Sequence, residues 1–158
     1  MAIILAIAIA VSAVASYSAE GSLPGDFLYP VKTEVNERVK GWAAISAEAE
    51  SEHQADLALR RLEEAERLEA EGRLDAETKA ELETEFRLHT REAGEELQEL
   101  ESKGDEEKAA SIRASLDAAV QTKGGVLGIV DLGGMLGANV EAGVKTADIK
   151  TEQGNLKP

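Results

Sequence analysis

The chain has no cysteine. That absence removes disulfides, thiolate nucleophiles and cysteine-ligated zinc together. Histidine is nearly absent too: His53 and His89 are the only two. Aromatic residues make up 3% of the 158 residues, with one Trp, two Tyr and two Phe. A large aromatic-centred core is excluded, and the aromatic floor of a sugar-binding cleft has little to be built from. Positive charge is scarce, because 17 Lys and Arg stand against 31 Asp and Glu, a formal net of −14. So acidic a chain repels phosphate, and a nucleic acid is not an expected partner. No Gly-x-Ser-x-Gly and no Gly-Lys-Ser/Thr occurs. Neither a nucleophile elbow nor a phosphate-binding loop is therefore encoded.

Charge is also missing from one long stretch. Ala2 to Ala19 carry none, and Glu20 is the first charged side chain. The run Ala2-Ile3-Ile4-Leu5-Ala6-Ile7-Ala8-Ile9-Ala10-Val11 has the length of a secretory signal's apolar region. Ala13-Val14-Ala15 offers small residues at a signal peptidase spacing, with Ala19 as a second cut point. Only the α-amino group supplies positive charge ahead of it. The 18 uncharged residues also approach the ~20 needed to span a bilayer. Residues 1–19 thus read as a signal peptide or a membrane anchor, with a buried core helix as the third reading. Either of the first two puts everything after Glu20 outside the cytoplasm.

The remainder of the chain is built mainly for helices. Residues 20–30 form a turn-rich linker around Pro24-Gly25, with Phe27, Leu28 and Tyr29 as a small apolar cluster. Residues 31–122 read as the helical domain. Pro30 suits a first helical turn. The spacing of Val31, Val35 and Val39 predicts a short helix to about Lys40, with Trp42 as its packing anchor. Ser46 is placed to cap a second helix over Ala47–Glu71, with Ala55, Ala58, Leu62 and Ala65 on one stripe and Leu59 and Leu68 widening it. Gly72 ends it, and Asp75 caps a third helix over Ala76–Ser102. Leu82, Phe86, His89, Ala93, Leu97 and Leu100 mark its apolar face. A connection this short favours antiparallel neighbours. A fourth helix runs from Asp105 to about Gln121. The expected fold class is all-α: an antiparallel helical hairpin with a short N-terminal helix and a fourth helix.

Between Ala47 and Lys108 there are 22 acidic and nine basic residues. They read as solvated helix faces laced by i, i+4 pairs such as Glu63 with Arg67 and Glu83 with Arg87. Past Lys123, glycines break the pattern into short apolar pairs, and residues 123–158 read as a Gly-rich flexible tail. Short strands around Val126–Leu132 and Val140–Ile149 are the alternative.

Two stretches carry a resemblance. Ser22-Leu23-Pro24-Gly25-Asp26-Phe27-Leu28-Tyr29-Pro30-Val31-Lys32 resembles the SLPGD-x-LYP-h-K opening of the bacterial family called domain of unknown function 5667. Ala58-Leu59-Arg60-Arg61-Leu62-Glu63-Glu64-Ala65 resembles its A-x-x-R-L-x-E-A helix. The resemblance covers roughly Ser22 to Val120. It implies an extracytoplasmic helical domain following a signal or membrane helix. Some members are similar in layout to the outer halves of membrane-bound anti-sigma regulators. No sigma-binding segment precedes the apolar run here, so direct sigma binding is not expected. The resemblance brings no catalytic residues.

The histidines are the remaining candidates for chemistry. Glu50-Ser51-Glu52-His53 contains one Glu-x-x-His, and His89 follows Glu85 by one turn. With the bend at Gly72 to Asp75, the two imidazoles fall about one helical turn apart, on the order of 6 Å. A carboxylate-bridged two-metal site needs the motif twice, and Phe86 occupies the matching place before His89. His89 shares a stripe with Phe86 and Ala93, so it reads as a seam histidine with one hydrogen bond. No catalytic, cofactor-binding or metal-ligating residue is assigned. The expected function is a noncatalytic extracytoplasmic module acting through protein contacts, including self-association, or as a membrane-proximal spacer. A periplasmic metal- or stress-sensing protein is the alternative.

Overall fold

A computed structural model describes residues 16–136. Most of the proposed signal or anchor segment, and the strand considered over Val140–Ile149, lie outside the described residues. All regular elements among the described residues are helical, and none is long and apolar enough to cross a membrane. After helical residues 16–19, α1 is continuous but changes pitch: an α-turn at Tyr29–Val31, a π-helical stretch at Lys32–Glu37 and an α-helix at Arg38–Ala43. Helices α2 (Ala47–Ala70), α3 (Ala76–Ser102) and α4 (Glu106–Lys123) come next, and a 3-10 turn spans Gly124–Val126.

The ends of the long helices arise from local chemistry. Ser46 accepts a hydrogen bond from the Ala49 N–H at 3.2 Å, and Asp75 accepts one from Thr78 at 2.8 Å. Each satisfies a donor that the helix itself leaves free. Gly72 ends α2 at φ +66°, in the left-handed region that glycine enters without a Cβ clash. The stripes then meet. Ala55, Ala58, Leu62, Ala65 and Leu68 of α2 pack with Leu82, Phe86, Ala93, Leu97 and Leu100 of α3 in one core. Gln54 meets His89, and Arg61 meets Glu85. Ala109, Leu116 and Val120 of α4 complete this layer. Glu83 and Arg87 form the expected i, i+4 pair at 2.8 Å. Arg67 instead donates to the Gly21 carbonyl, and Glu63 faces Lys123.

Three features depart from the sequence reading. The buried face of α1 is polar, formed by Lys32, Asn36 and Glu37, while Val35 and Val39 face outward. The reason is that α2 offers α1 ionic partners rather than apolar ones. Trp42 is 79% exposed and anchors no packing, and Phe27 is 95% exposed, so neither joins the apolar contacts expected of it. Finally, packing does not stop at residue 122. Leu127, Ile129, Leu132 and Leu136 are buried in the same core, and Val126–Leu132 forms no strand. The described part of the Gly-rich segment is therefore a packed layer rather than a tail. Its glycines permit close approach: a Cβ on Gly124 would lie 2.3 Å from the Ile129 carbonyl oxygen.

Candidate functional site

The segment before α1 is held tightly. Asp26 accepts from its own turn at the Leu23 N–H and pairs with Arg73, both at 2.8 Å. Leu23 is buried in the core. Asn36 donates to the Ser16 carbonyl at 2.7 Å, and Glu20 receives Lys40 and Arg60, each at 3.0 Å. The stretch from Ser16 to Lys32 is thus clamped to α1 and α2 rather than serving as a loose linker.

The centre of the clamp is a buried ion network. Arg61 of α2 is fully buried. Its Nη2 donates to both carboxylate oxygens of Glu37 at 2.6 Å. Its Nη1 donates to Glu64 at 2.9 Å and to the Tyr29 hydroxyl, and lies 3.2 Å from Glu85 of α3. The Tyr29 hydroxyl in turn donates to Glu64 at 3.1 Å. Lys32 closes the ring, donating to Glu64 and, at 3.2 Å, to the Ser22 carbonyl. Burial, with Glu64 beside it, pushes the Tyr29 phenol far above its ordinary range. Burial also raises the Glu85 carboxyl, against the pull of Arg61. A buried charge is tolerated only when paired and hydrogen-bonded, which accounts for the number of partners. One donor, Arg61 Nε, has none.

Beside this network, between α1, α2 and α3, lies an open cleft of about 490 Å³. Both histidines line it, with Trp42, Glu50, Gln54 and Glu85. The His53 ring abuts Gly41, where any Cβ would meet its Nε2 at 3.1 Å. His89 Nδ1 lies 2.8 Å from Gln54 Oε1. An amide oxygen only accepts, so Nδ1 carries the proton and Nε2 holds the lone pair. Burial, then Arg61 and His53, push His89 down to about 4. An imidazole so shifted is neutral at pH 7 but a weak general base. The Thr33 hydroxyl, the alcohol lining the cleft, donates to the Tyr29 carbonyl at 3.3 Å instead of to a histidine. Among the described residues, no three His, Asp or Glu side chains converge as metal ligands. The cleft thus brings together the two histidines singled out by sequence.

Sequence reasoning missed the ion network, whose members look like surface charges when read one helix at a time. A signal was available nonetheless. Tyr29, Lys32, Arg61 and Glu64 all fall at specified positions of the two family-like stretches. Comparison with known proteins agrees with that resemblance. The model of the family described as Domain of unknown function (DUF5667) matches residues 21–124, and the chain belongs to this family. No curated protein and no solved structure matches the chain.

Proposed function

We propose that this member of the DUF5667 family is a noncatalytic extracytoplasmic helical module, built as a hairpin on a rigid mount. It acts through protein contacts, with a partner or a second copy, or as a spacer next to the membrane. One observation carries the reading. The residues through which the chain resembles its family are spent on fixing the opening segment to the helices. Tyr29, Lys32, Arg61 and Glu64 hydrogen-bond one another, and Asp26 holds its own turn and Arg73. A family signature consumed in this way marks a mount rather than a reaction centre. The uncharged run of residues 2–15 enters this mount directly through Ser16, whose carbonyl Asn36 holds. The opposed order of the contacts 54 with 89 and 61 with 85 supports the antiparallel hairpin.

The alternative of a metal- or stress-sensing protein draws on one observation, the shared cleft of His53 and His89. The export reading is tested by fusing alkaline phosphatase after Pro158 of the full chain. Phosphatase activity in intact cells is the expected outcome. An inactive fusion, beside a fluorescent protein that glows when fused at the same point, would refute it.

A further inference from the structure

Helix α1 has two faces of opposite character. Lys32, Asn36 and Glu37 point into the clamp and are buried. Val35, Val39 and Trp42 point outward, at 48%, 53% and 79% exposure, and Ile45 beyond the helix is 91% exposed. Tyr17, 84% exposed, shares a shallow groove with Val35 and Val39. By contrast, Leu88 is the one large apolar side chain left exposed across α2, α3 and α4.

Two further observations say what covers this face. The first is chain continuity. Residues 2–15 carry no charge, and the next residue, Ser16, is hydrogen-bonded to Asn36 of α1. Whatever medium takes up the uncharged run therefore begins within a turn or two of Tyr17, Val35 and Val39. The second is charge. Residues 16–46 hold four acidic and three basic side chains, whereas residues 47–108 hold 22 and nine. This part of the body is far less repelled by phosphate headgroups than α2 and α3, and Arg38 and Lys40, paired with Glu34 and Glu20, stand exposed on the same helix.

We propose that the outward face of α1, with Tyr17 and Ile45, lies on the surface of a lipid bilayer as an interfacial helix. The inference rests on residues 1–19 engaging the membrane. It adds that the folded body is held flat against that membrane instead of swinging from it. Tyr17 and Trp42 supply rings that are apolar at one end and polar at the other, which favour the headgroup level. Val35, Val39 and Ile45 supply the shallow apolar face, and Arg38 and Lys40, each paired with a carboxylate of the same body, stand on the same helix. The acidic helices α2 and α3 then face away from the membrane's own negative charge.

The chain contains a single Trp, which makes the test direct. The full chain is reconstituted into phosphatidylcholine vesicles, floated on a density gradient, and read by Trp42 fluorescence. The expected result is co-flotation, emission at shorter wavelength than a fully aqueous indole, quenching by lipids brominated near the acyl carbonyls, and protection from iodide. The double variant Val35→Ser/Val39→Ser should still float, with Trp42 regaining iodide access. Flotation with an iodide-accessible, unshifted Trp42 in the wild type overturns the inference but leaves the membrane reading standing. Failure to float overturns both. A wavelength shift that grows with protein concentration in detergent, and is unchanged by bilayers, assigns the face to a second copy and likewise overturns the proposal.

Discussion

Helix α2 has two buried sides, and they are made of different material. Toward α3 and α4 it presents Ala55, Ala58, Leu62 and Ala65, small and aliphatic. Toward α1 it presents Arg61 and Glu64, both buried and both charged. The first side is stabilised by removing apolar surface from water, roughly 25 cal/mol per Å², and tolerates many substitutions of similar size. The second gains little net stability from its Coulomb attraction, since desolvation opposes it. What it provides is a strict demand on partner and position. A carboxylate must sit on each side of Arg61, and a cation must meet Glu64. The opening segment can therefore dock in one register only, whereas an apolar α1 could slide along an alanine-rich seam.

The sharpest way to break this comparison is to remove the central cation. Arg61→Met keeps apolar bulk but leaves Glu37 and Glu64 short of their shared partner. We expect a loss of about 3–5 kcal/mol in urea unfolding, as for other buried pairs deprived of one member. The exposed pair Glu83 with Arg87 serves as the reference. Its Arg87→Ala variant should change stability by less than about 1 kcal/mol. A loss below about 1 kcal/mol for Arg61→Met would mean that water reaches the network and that the two sides of α2 do not differ in kind. Replacing Lys32, Glu37, Arg61 and Glu64 together by Met or Leu should recover much of the loss in stability, because the carboxylate that then loses its cation, Glu85, is a third exposed.

The two sides also differ in how far they can be read from sequence. The apolar side is periodic, and its caps are local. Ser46, Gly72 and Asp75 lie within a few residues of the backbone groups they serve, so α2 and α3 begin and end within one residue of the sequence reading. The polar side has no period. Arg61 is buried because Glu37 and Tyr29, 24 and 32 positions away in the chain, fold onto it. The charge pattern around residue 61 does not show this, since a helix rich in Glu and Arg reads as solvated, and only the family-like stretch singles out Arg61 and Glu64. For the same reason the spacing of Val35 and Val39 suggests a buried stripe on the face of α1 that in fact points outward. The cleft is half legible: the bend at Gly72 to Asp75 brings the helices carrying His53 and His89 together, but the floor made by Gly41 and Trp42 comes from α1.

Glycine gives a second test, smaller and on the apolar side. Gly94 lies inside α3, where helix propensity alone makes alanine better by about 1 kcal/mol. In the fold, a Cβ there would lie 2.8 Å from the backbone of Leu136. Backbone yields less readily than a side chain end, and overpacking of this kind costs about 1–3 kcal/mol. Gly94→Ala should therefore destabilise the protein by about 1–2 kcal/mol, reversing the sign that propensity predicts. A stabilised variant in thermal or urea unfolding would show that the Leu136 backbone does not pack on α3 at Gly94.

The smallest effect is expected where the two regions meet, at His89. It lies on the apolar face of α3 but borders the cleft, facing Gln54 and His53 of α2, with Arg61 nearby and Glu92 at 3.7 Å. Its pKa falls from the ordinary 6.5 to about 4 on folding. Between those values the unfolded chain binds a proton that the folded chain refuses. The contribution to stability is therefore complete above pH 6.5 and is lost as pH falls toward 4. Glu85 acts in the opposite sense, because burial raises its carboxyl and protonation at lower pH relieves it. With partial exposure discounted, the His89 contribution is about 1 kcal/mol. The variant His89→Gln retains an amide donor for Gln54 but cannot titrate. Urea midpoints measured from pH 7 to pH 4 should fall more steeply in the wild type than in this variant. Parallel curves would mean that the imidazole is as wet as a surface histidine, and that the cleft extends the solvent rather than the interior.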